Sequence, residues 1–266
     1  MTGSGNDFVM VDGRNSNPAD WTPQDIQAVC ARGTGVGADG VVFLSPGAEP
    51  GAVRMTYFNS DGSRAAMCGN AALCSTSLAR RLGMAPVTGM CLETDAGVYQ
   101  SHPAADDCRA VLGFPPVAPP AEVPHLRTAP GEIRLALATV GVPHLVVLVD
   151  EVDRVDVVER GRVLRSDPAL GPPGANVDFV SPSASGSEWR MRTYERGVEA
   201  ETLACGTGAV ATGVVLNRWD LAEFPVTILT RSGRRLDVQA RKLPGGQYGD
   251  VWLTGEARLV FRGVLG

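Results

Sequence analysis

The sequence predicts a mixed fold of strands and helices, α/β or α+β, in which strands outnumber helices and one unit is built twice. Three observations carry this: two distant segments share a pattern, two helical runs consist almost entirely of small or apolar residues, and short strand-like stretches surround both. The shared pattern runs from Tyr57 to Cys68-Gly69-Asn70 and again from Tyr194 to Cys205-Gly206-Thr207, with the same tyrosine-to-cysteine spacing. Each copy starts on a strand-like stretch (53–58; 189–194), crosses a polar turn, and meets Cys-Gly just before a run rich in small apolar residues.

Taken in chain order, residues 8–11 read as a strand and 23–32 as a helix. Gly35-Val36-Gly37-Ala38-Asp39-Gly40 formally matches the G-x-G-x-x-G dinucleotide loop. It follows a helix and precedes a strand (40–44), the reverse of the order that loop requires, and so reads as a turn lining a site. The run 71–82 is a helix rich in Ala, Ser and Thr, small enough to let a neighbouring backbone approach closely. The Pro-rich stretch 114–124 can continue neither strand nor helix and reads as a linker, dividing a lobe of residues 1–116 from one of residues 117–256. In the second lobe, 133–138, 145–149, 189–194, 226–229 and 251–253 read as strands. The run 206–218 has almost no polar face, as expected of a helix buried on all sides with strands wrapped around it.

Composition narrows the function. The chain has 266 residues, 44% of them hydrophobic, enough for one large domain or two lobes. A net charge of −5 disfavours nucleic acid as a partner and favours a small-molecule substrate. No apolar run reaches the roughly 18 residues of a membrane span, and the start lacks a basic and apolar leader, so a soluble cytoplasmic protein is expected. Six cysteines without a C-x-x-C pair and three histidines spell out no metal site. Lys242 is the single lysine, in a loop-like context, which leaves no plausible Schiff-base partner for pyridoxal phosphate. No cofactor is expected.

The two Cys-Gly pairs carry the chemistry. A cysteine at the first turn of a helix sits beside unpaired N–H groups and the positive end of the helix dipole, which favour a thiolate. Its pKa can fall from about 8.5 into the range of roughly 3.5 to 7.5. A following glycine lets a substrate carboxylate approach those N–H groups. Inverting a stereocentre needs a base on one face and an acid on the other, and a duplicated unit supplies two like groups, Cys68 and Cys205. A lone cysteine would more readily be a buried small hydrophobe, and Cys30, Cys74, Cys91 and Cys108, which lack repeat partners, are read that way. His144, in Gly141-Val142-Pro143-His144 before a strand, is placed to orient or tune a cysteine, whereas His102 and His125 have no such context.

With these residues assembled, the chain resembles the diaminopimelate epimerase family. The motifs that carry the resemblance are Gly5-Asn6-Asp7-Phe8, Gly37-Ala38-Asp39-Gly40, Phe58-Asn59-Ser60-Asp61-Gly62, Met67-Cys68-Gly69-Asn70, Pro143-His144, Asn176-Val177-Asp178-Phe179, Tyr194-Glu195-Arg196-Gly197 and Glu201 through Gly208. The resemblance implies an α+β fold of two pseudo-symmetric lobes. Each is a mostly antiparallel sheet wrapped around a central helix, a final strand (about 257–266) returns to the first lobe, and the active site lies in the cleft between lobes. It also implies conversion of LL-diaminopimelate to the meso form without pyridoxal phosphate, for lysine and peptidoglycan synthesis, in a homodimer. Carried over by motif, Cys68 and Cys205 are the acid/base pair, with His144 and Glu195 as auxiliary groups. Asn6, Asn59, Asn70, Asn176, Glu195 and Arg196 would hold the substrate's amino and carboxylate groups, and Gly69, Gly206 and Thr207 would present backbone donors.

The chain departs from the family pattern at Val142, where the family commonly has Asn: valine can make no side-chain hydrogen bond to the distal end of the substrate. It also begins directly at the first motif, without the few strand residues that usually precede it, so the natural start is expected upstream or the first strand is short. Two other functions compete. One is a racemase of another amino acid, such as histidine, on the same fold, which Val142 motivates. The other is a non-catalytic redox sensor in which Cys68 and Cys205 form a reversible disulfide. Phenazine-type isomerases share the fold but have no need of both cysteines.

Overall fold

The computed structural model describes residues 1–265. The chain forms two compact units, one of Met1–Gly113 together with the chain from Thr254 on, the other of Phe114–Leu253.

In the first unit, β1 (Thr2–Gly3) pairs antiparallel with β2 (Asn6–Asp12). Helix α1 (Pro23–Cys30) then crosses to β3 (Gly40–Pro46), which lies parallel to β2. A capping box starts α1: the Thr22 hydroxyl accepts from the Asp25 N–H, and the Asp25 carboxylate accepts from the Thr22 N–H. Its buried residues Ile26 and Cys30, one turn apart, pack with Val41 and Phe43 of β3. Strand β4 (Val53–Asn59) returns antiparallel to β3 and pairs with the short β5 (Arg64–Ala65). After α2 (Gly69–Arg81), β6 (Met90–Thr94) joins β4 in parallel, and β7 (Gly97–Pro103) and β8 (Arg109–Phe114) follow antiparallel.

Helix α2 is buried from Gly69 to Ala79 and touches β1, β2, β3, β4, β6 and β7, so the sheet curls around it. Its polar residues tolerate this because Ser75 and Thr76 donate back to the carbonyls of Ala71 and Ala72. Close approach also requires glycine opposite the helix: a Cβ on Gly3 would lie 2.8 Å from the Asn70 carbonyl oxygen.

The second unit repeats the order. β9 (Ala121–Glu122) flanks β10 (Glu132–Val140), which turns through Gly141 into antiparallel β11 (Val142–Val149). Helix α3 (Val157–Arg165), capped by Asp156, crosses to β12 (Asn176–Pro182), parallel to β11. β13 (Trp189–Glu195) returns antiparallel and pairs with β14 (Ala200–Thr202). After α4 (Gly206–Arg218), β15 (Val226–Leu229) joins β13 in parallel and β16 (Arg235–Lys242) follows antiparallel. Helix α4 packs on β10, β11, β12, β15 and β16 and is buried almost throughout. The last strand, β17 (Tyr248–Glu256), leads out of this unit. Beyond it Arg258 and Thr2 exchange two backbone hydrogen bonds of 2.9 Å within the first unit.

The fold is α+β, with each sheet mostly antiparallel around one helix. The Pro-rich stretch carries more structure than a bare linker. Val117 exchanges backbone bonds with Tyr248, and Ala121–Glu122 pairs with β10, because its prolines leave every other N–H available. Among the described residues no helix is long and apolar enough to cross a membrane.

Candidate active site

Each unit presents one Cys-Gly helix start. Cys68 is the N-cap of α2 with extended backbone (φ −140°, ψ 121°), and Cys205 is the N-cap of α4 in nearly the same conformation (φ −133°, ψ 113°). The first helical hydrogen bonds are Ala72 N–H to Cys68 C=O and Ala209 N–H to Cys205 C=O, both 2.9 Å. The N–H groups of Gly69, Asn70 and Ala71, and of Gly206, Thr207 and Gly208, therefore precede both helical ladders and point along the positive ends of the helices. All six cysteines are thiols.

In the first unit, Asn70 lies in the first turn of α2, 2% exposed, and its amide N–H donates to Asn6 Oδ1 at 2.7 Å. Asn6 Nδ2 in turn donates to Asp39 Oδ2 at 2.9 Å. Asp39 is fixed by Arg32, whose fork also grips Asp7 through two bonds of 2.9 and 2.7 Å. Burial disfavours the Asp7 carboxylate, but hydrogen bonds and charge from Arg32 outweigh it and hold the pKa below the usual range. Asn70 Oδ1 is buried and has no hydrogen-bond partner among the described residues, so one acceptor remains at the helix start. Asn59, at the end of β4, bonds instead to the Ser63 hydroxyl at 3.0 Å and does not join the Asn6–Asn70 pair.

In the second unit, strand register gathers the residues. His144 on β11 lies beside Asn176 on β12, and Asp178, two residues on and so on the same face, lies opposite Thr193 of β13. His144 Nδ1 is 2.8 Å from Asp178 Oδ2, and His144 Nε2 is 3.0 Å from Thr207 Oγ1. Thr207 Oγ1 is 3.5 Å from Cys205 Sγ. Asp178 accepts a second bond, 2.7 Å, from the Thr193 hydroxyl. Asn176 Oδ1 accepts from the Arg196 backbone N–H at 2.8 Å, while the Arg196 guanidinium reaches outward to the Pro173 carbonyl. Val142 opens β11 opposite Val140, partly buried.

Burial pushes the Cys205 thiol well up, and the carboxylates of Glu195 and Asp178 add to the effect; the Thr207 hydroxyl and Gly208 N–H oppose it without winning. This reverses the expectation that a helix start lowers the pKa. Cys205 is 8% exposed, and lost hydration of a thiolate outweighs the hydrogen bonds from Thr207 and Gly208 there. Burial likewise raises the Glu195 carboxyl. Among the described residues no cluster of His, Cys, Asp or Glu has the form of a metal site, and Lys242 is exposed at the end of β16.

Sequence reasoning singled out no role for Asp178, Thr193 or Asp39. Asp178 and Asp39 stood inside quoted motifs; the available signal was the two-residue spacing of Asn176 and Asp178, which puts both on one face of a strand.

The family profile described as diaminopimelate epimerase matches residues 1–109 and 136–259. The chain belongs to this family. A diaminopimelate epimerase from Gemmatimonas aurantiaca is 47% identical over 279 residues, covering 100% of this chain and 97% of the relative. One from Aquifex aeolicus is 37% identical over 275 residues, covering 100% and 96%. Among solved structures, a phenazine biosynthesis protein of the PhzF family from Bacillus anthracis has a TM-score of 0.73 at 14% identity, covering 96% of this chain and 92% of that one. That likeness concerns the fold alone. As a member of the diaminopimelate epimerase family, the chain is an amino-acid epimerase, an isomerase.

Proposed function

We propose that the chain converts LL-diaminopimelate to meso-diaminopimelate by proton transfer through Cys68 and Cys205, without a cofactor. One cysteine, as thiolate, removes the α-proton from one face of the substrate. The other, as thiol, returns a proton to the opposite face, and the stereocentre inverts. Burial favours the thiol form of Cys205, in keeping with a role as the acid of one half-reaction. After turnover the protonation states are exchanged, and the enzyme runs the reverse reaction or resets by exchange with solvent. Negative charge on the reacting carboxylate is met by N–H groups at the helix starts, Gly69 and Asn70 with Gly206 and Thr207. Each such donor is worth about 3 to 4 kcal/mol to the transition state. Asn6, Asn59, Asn70, Asn176, Glu195 and Arg196 bind the substrate's amino and carboxylate ends, with His144 acting on Cys205 through Thr207. The reaction would supply lysine and peptidoglycan precursors in the cytoplasm, and the active form would be a homodimer.

The observation that carries this reading is the pair of cysteines in equivalent N-cap positions of the two buried helices, each followed by glycine and with nearly the same backbone angles. Cys68→Ser and Cys205→Ser should each lower epimerisation of LL-diaminopimelate by about 10²-fold or more, the scale of losing a general acid or base. Circular dichroism should stay unchanged. Near-normal turnover by either variant would overturn the two-base mechanism.

A further inference from the structure

We propose that Asp178 is a positioning residue that holds the His144 proton on Nδ1, so that Nε2 accepts the Thr207 hydroxyl proton and the Thr207 oxygen is left to accept from the Cys205 thiol. The inference rests on the reading of Cys205 as a proton-transfer group and deepens it.

The Asn176 side-chain amide has a fixed orientation. The Arg196 backbone N–H can only donate, so the Asn176 atom 2.8 Å from it is the carbonyl oxygen. Asn176 Nδ2, a donor, then faces His144 Nε2 at 3.4 Å. This amide can only donate, so Nε2 carries a lone pair toward it, and the Thr207 hydroxyl at 3.0 Å, able to donate or accept, then donates there as well. The ring proton belongs on Nδ1, 2.8 Å from Asp178 Oδ2, and both groups are fully buried. Thr193 donates to the other Asp178 oxygen, so the carboxylate is oriented from two sides.

Room for this carboxylate is built into α4. A Cβ on Gly208 would lie 2.6 Å from Asp178 Oδ1, so glycine in the first turn lets the carboxylate reach the helix start. With its proton committed to His144, Thr207 accepts from the thiol 3.5 Å away. When Cys205 gives its proton to the carbanion, the Thr207 O–H rotates to donate to the new thiolate, and the Asn176 amide remains on Nε2. No covalent bond in the relay changes; one hydroxyl turns. A carboxamide in place of Asp178 would keep accepting from Thr193 through its oxygen and present its NH2 to Nδ1. The ring proton would then move to Nε2, against the Asn176 donor.

The test is long-range proton–nitrogen NMR of the full, reduced, ¹⁵N-labelled protein at pH 7.5, with His144 assigned by comparison with His144→Gln. The neutral tautomer protonated on Nδ1 is expected in the wild type. Asp178→Asn should move the proton to Nε2 and lower kcat by about 10-fold or more, as a histidine held in the wrong tautomer does. KM should change by less than about threefold, because no substrate contact is lost. A wild-type ring protonated on Nε2 would overturn the proposal. So would an Asp178→Asn protein with unchanged tautomer or unchanged kcat. If Asp178→Asn does not fold, the wild-type spectrum decides, together with Thr207→Ser, which should keep most of the turnover, against Thr207→Val, which should lose it. Equal turnover in those two variants overturns the relay. The tautomer is read without any assay, so a failure of this inference is distinct from a failure of Cys205 as a proton carrier, which only Cys205→Ser turnover reports.

Discussion

At Glu195 burial acts on a single carboxyl. Its pKa is raised because the charged form loses hydration, so as pH rises above the ordinary value the unfolded chain releases its proton first. Stability associated with the protonated form is therefore present at low pH and falls as pH rises toward the folded pKa. Glu195→Gln should raise the melting temperature at pH 7, leave it nearly unchanged at pH 4, and reduce turnover at both. A melting temperature lowered at pH 7 would contradict the buried, raised carboxyl. Residues of this kind were partly legible in the sequence. Cys68 and Cys205 stood out because one unusual residue type recurred at one spacing before glycine. Asp178 did not, because a carboxylate between Val177 and Phe179 reads as the solvent side of a strand until β11 and β13 supply His144 and Thr193 as partners. The direction of the Cys205 pKa was also out of reach: the dipole can be read from a helix start, but burial depends on what the fold lays over it.

Among the elements, α4 was readable to its last residue because small apolar residues on every side leave a helix nowhere but the interior. Helix α3 was not, since Val157–Arg165 mixes three arginines and a glutamate with a glycine that argues against a helix. The structure explains the glycine. A Cβ on Gly161 would collide with Cβ and Cγ of Tyr194, so its absence lets α3 press onto β13 beside the segment that ends in Glu195. Neither contact is the movable end of a side chain. Gly161→Ala should therefore destabilise the protein by about 1 to 3 kcal/mol in denaturant unfolding despite alanine's better helix propensity; a stabilised variant would contradict the packing. Within α2, burial moves Cys74 from the ordinary 9.0 up to about 12. Between those values the unfolded chain carries a thiolate and the folded one a thiol, so stability falls as pH rises through this window. Cys74→Ala should flatten that alkaline decline, followed by thermal melts from pH 8.5 to 11, and an unchanged slope would count against the buried thiol.

Across the whole molecule, the two units follow one plan. A hairpin, β1–β2 or β10–β11, is followed by a helical crossover to a parallel strand, an antiparallel return, a short hairpin partner, the buried helix, and a second parallel pairing. The Tyr57 and Tyr194 segments revealed the duplication because tyrosine, cysteine and glycine recur in them at one spacing. The rest of the plan was hidden, since β2 with β3 and β11 with β12 pair in parallel across intervening helices and no local pattern announces such partners. Duplication gives the account its central claim, that two like groups serve one symmetric reaction. The most direct test is proton NMR of the purified, reduced protein with LL-diaminopimelate in deuterated water. The account predicts loss of the α-proton signal together with appearance of the meso isomer, and loss of both in Cys68→Ser and Cys205→Ser. Absence of α-proton exchange in the reduced wild type would contradict it.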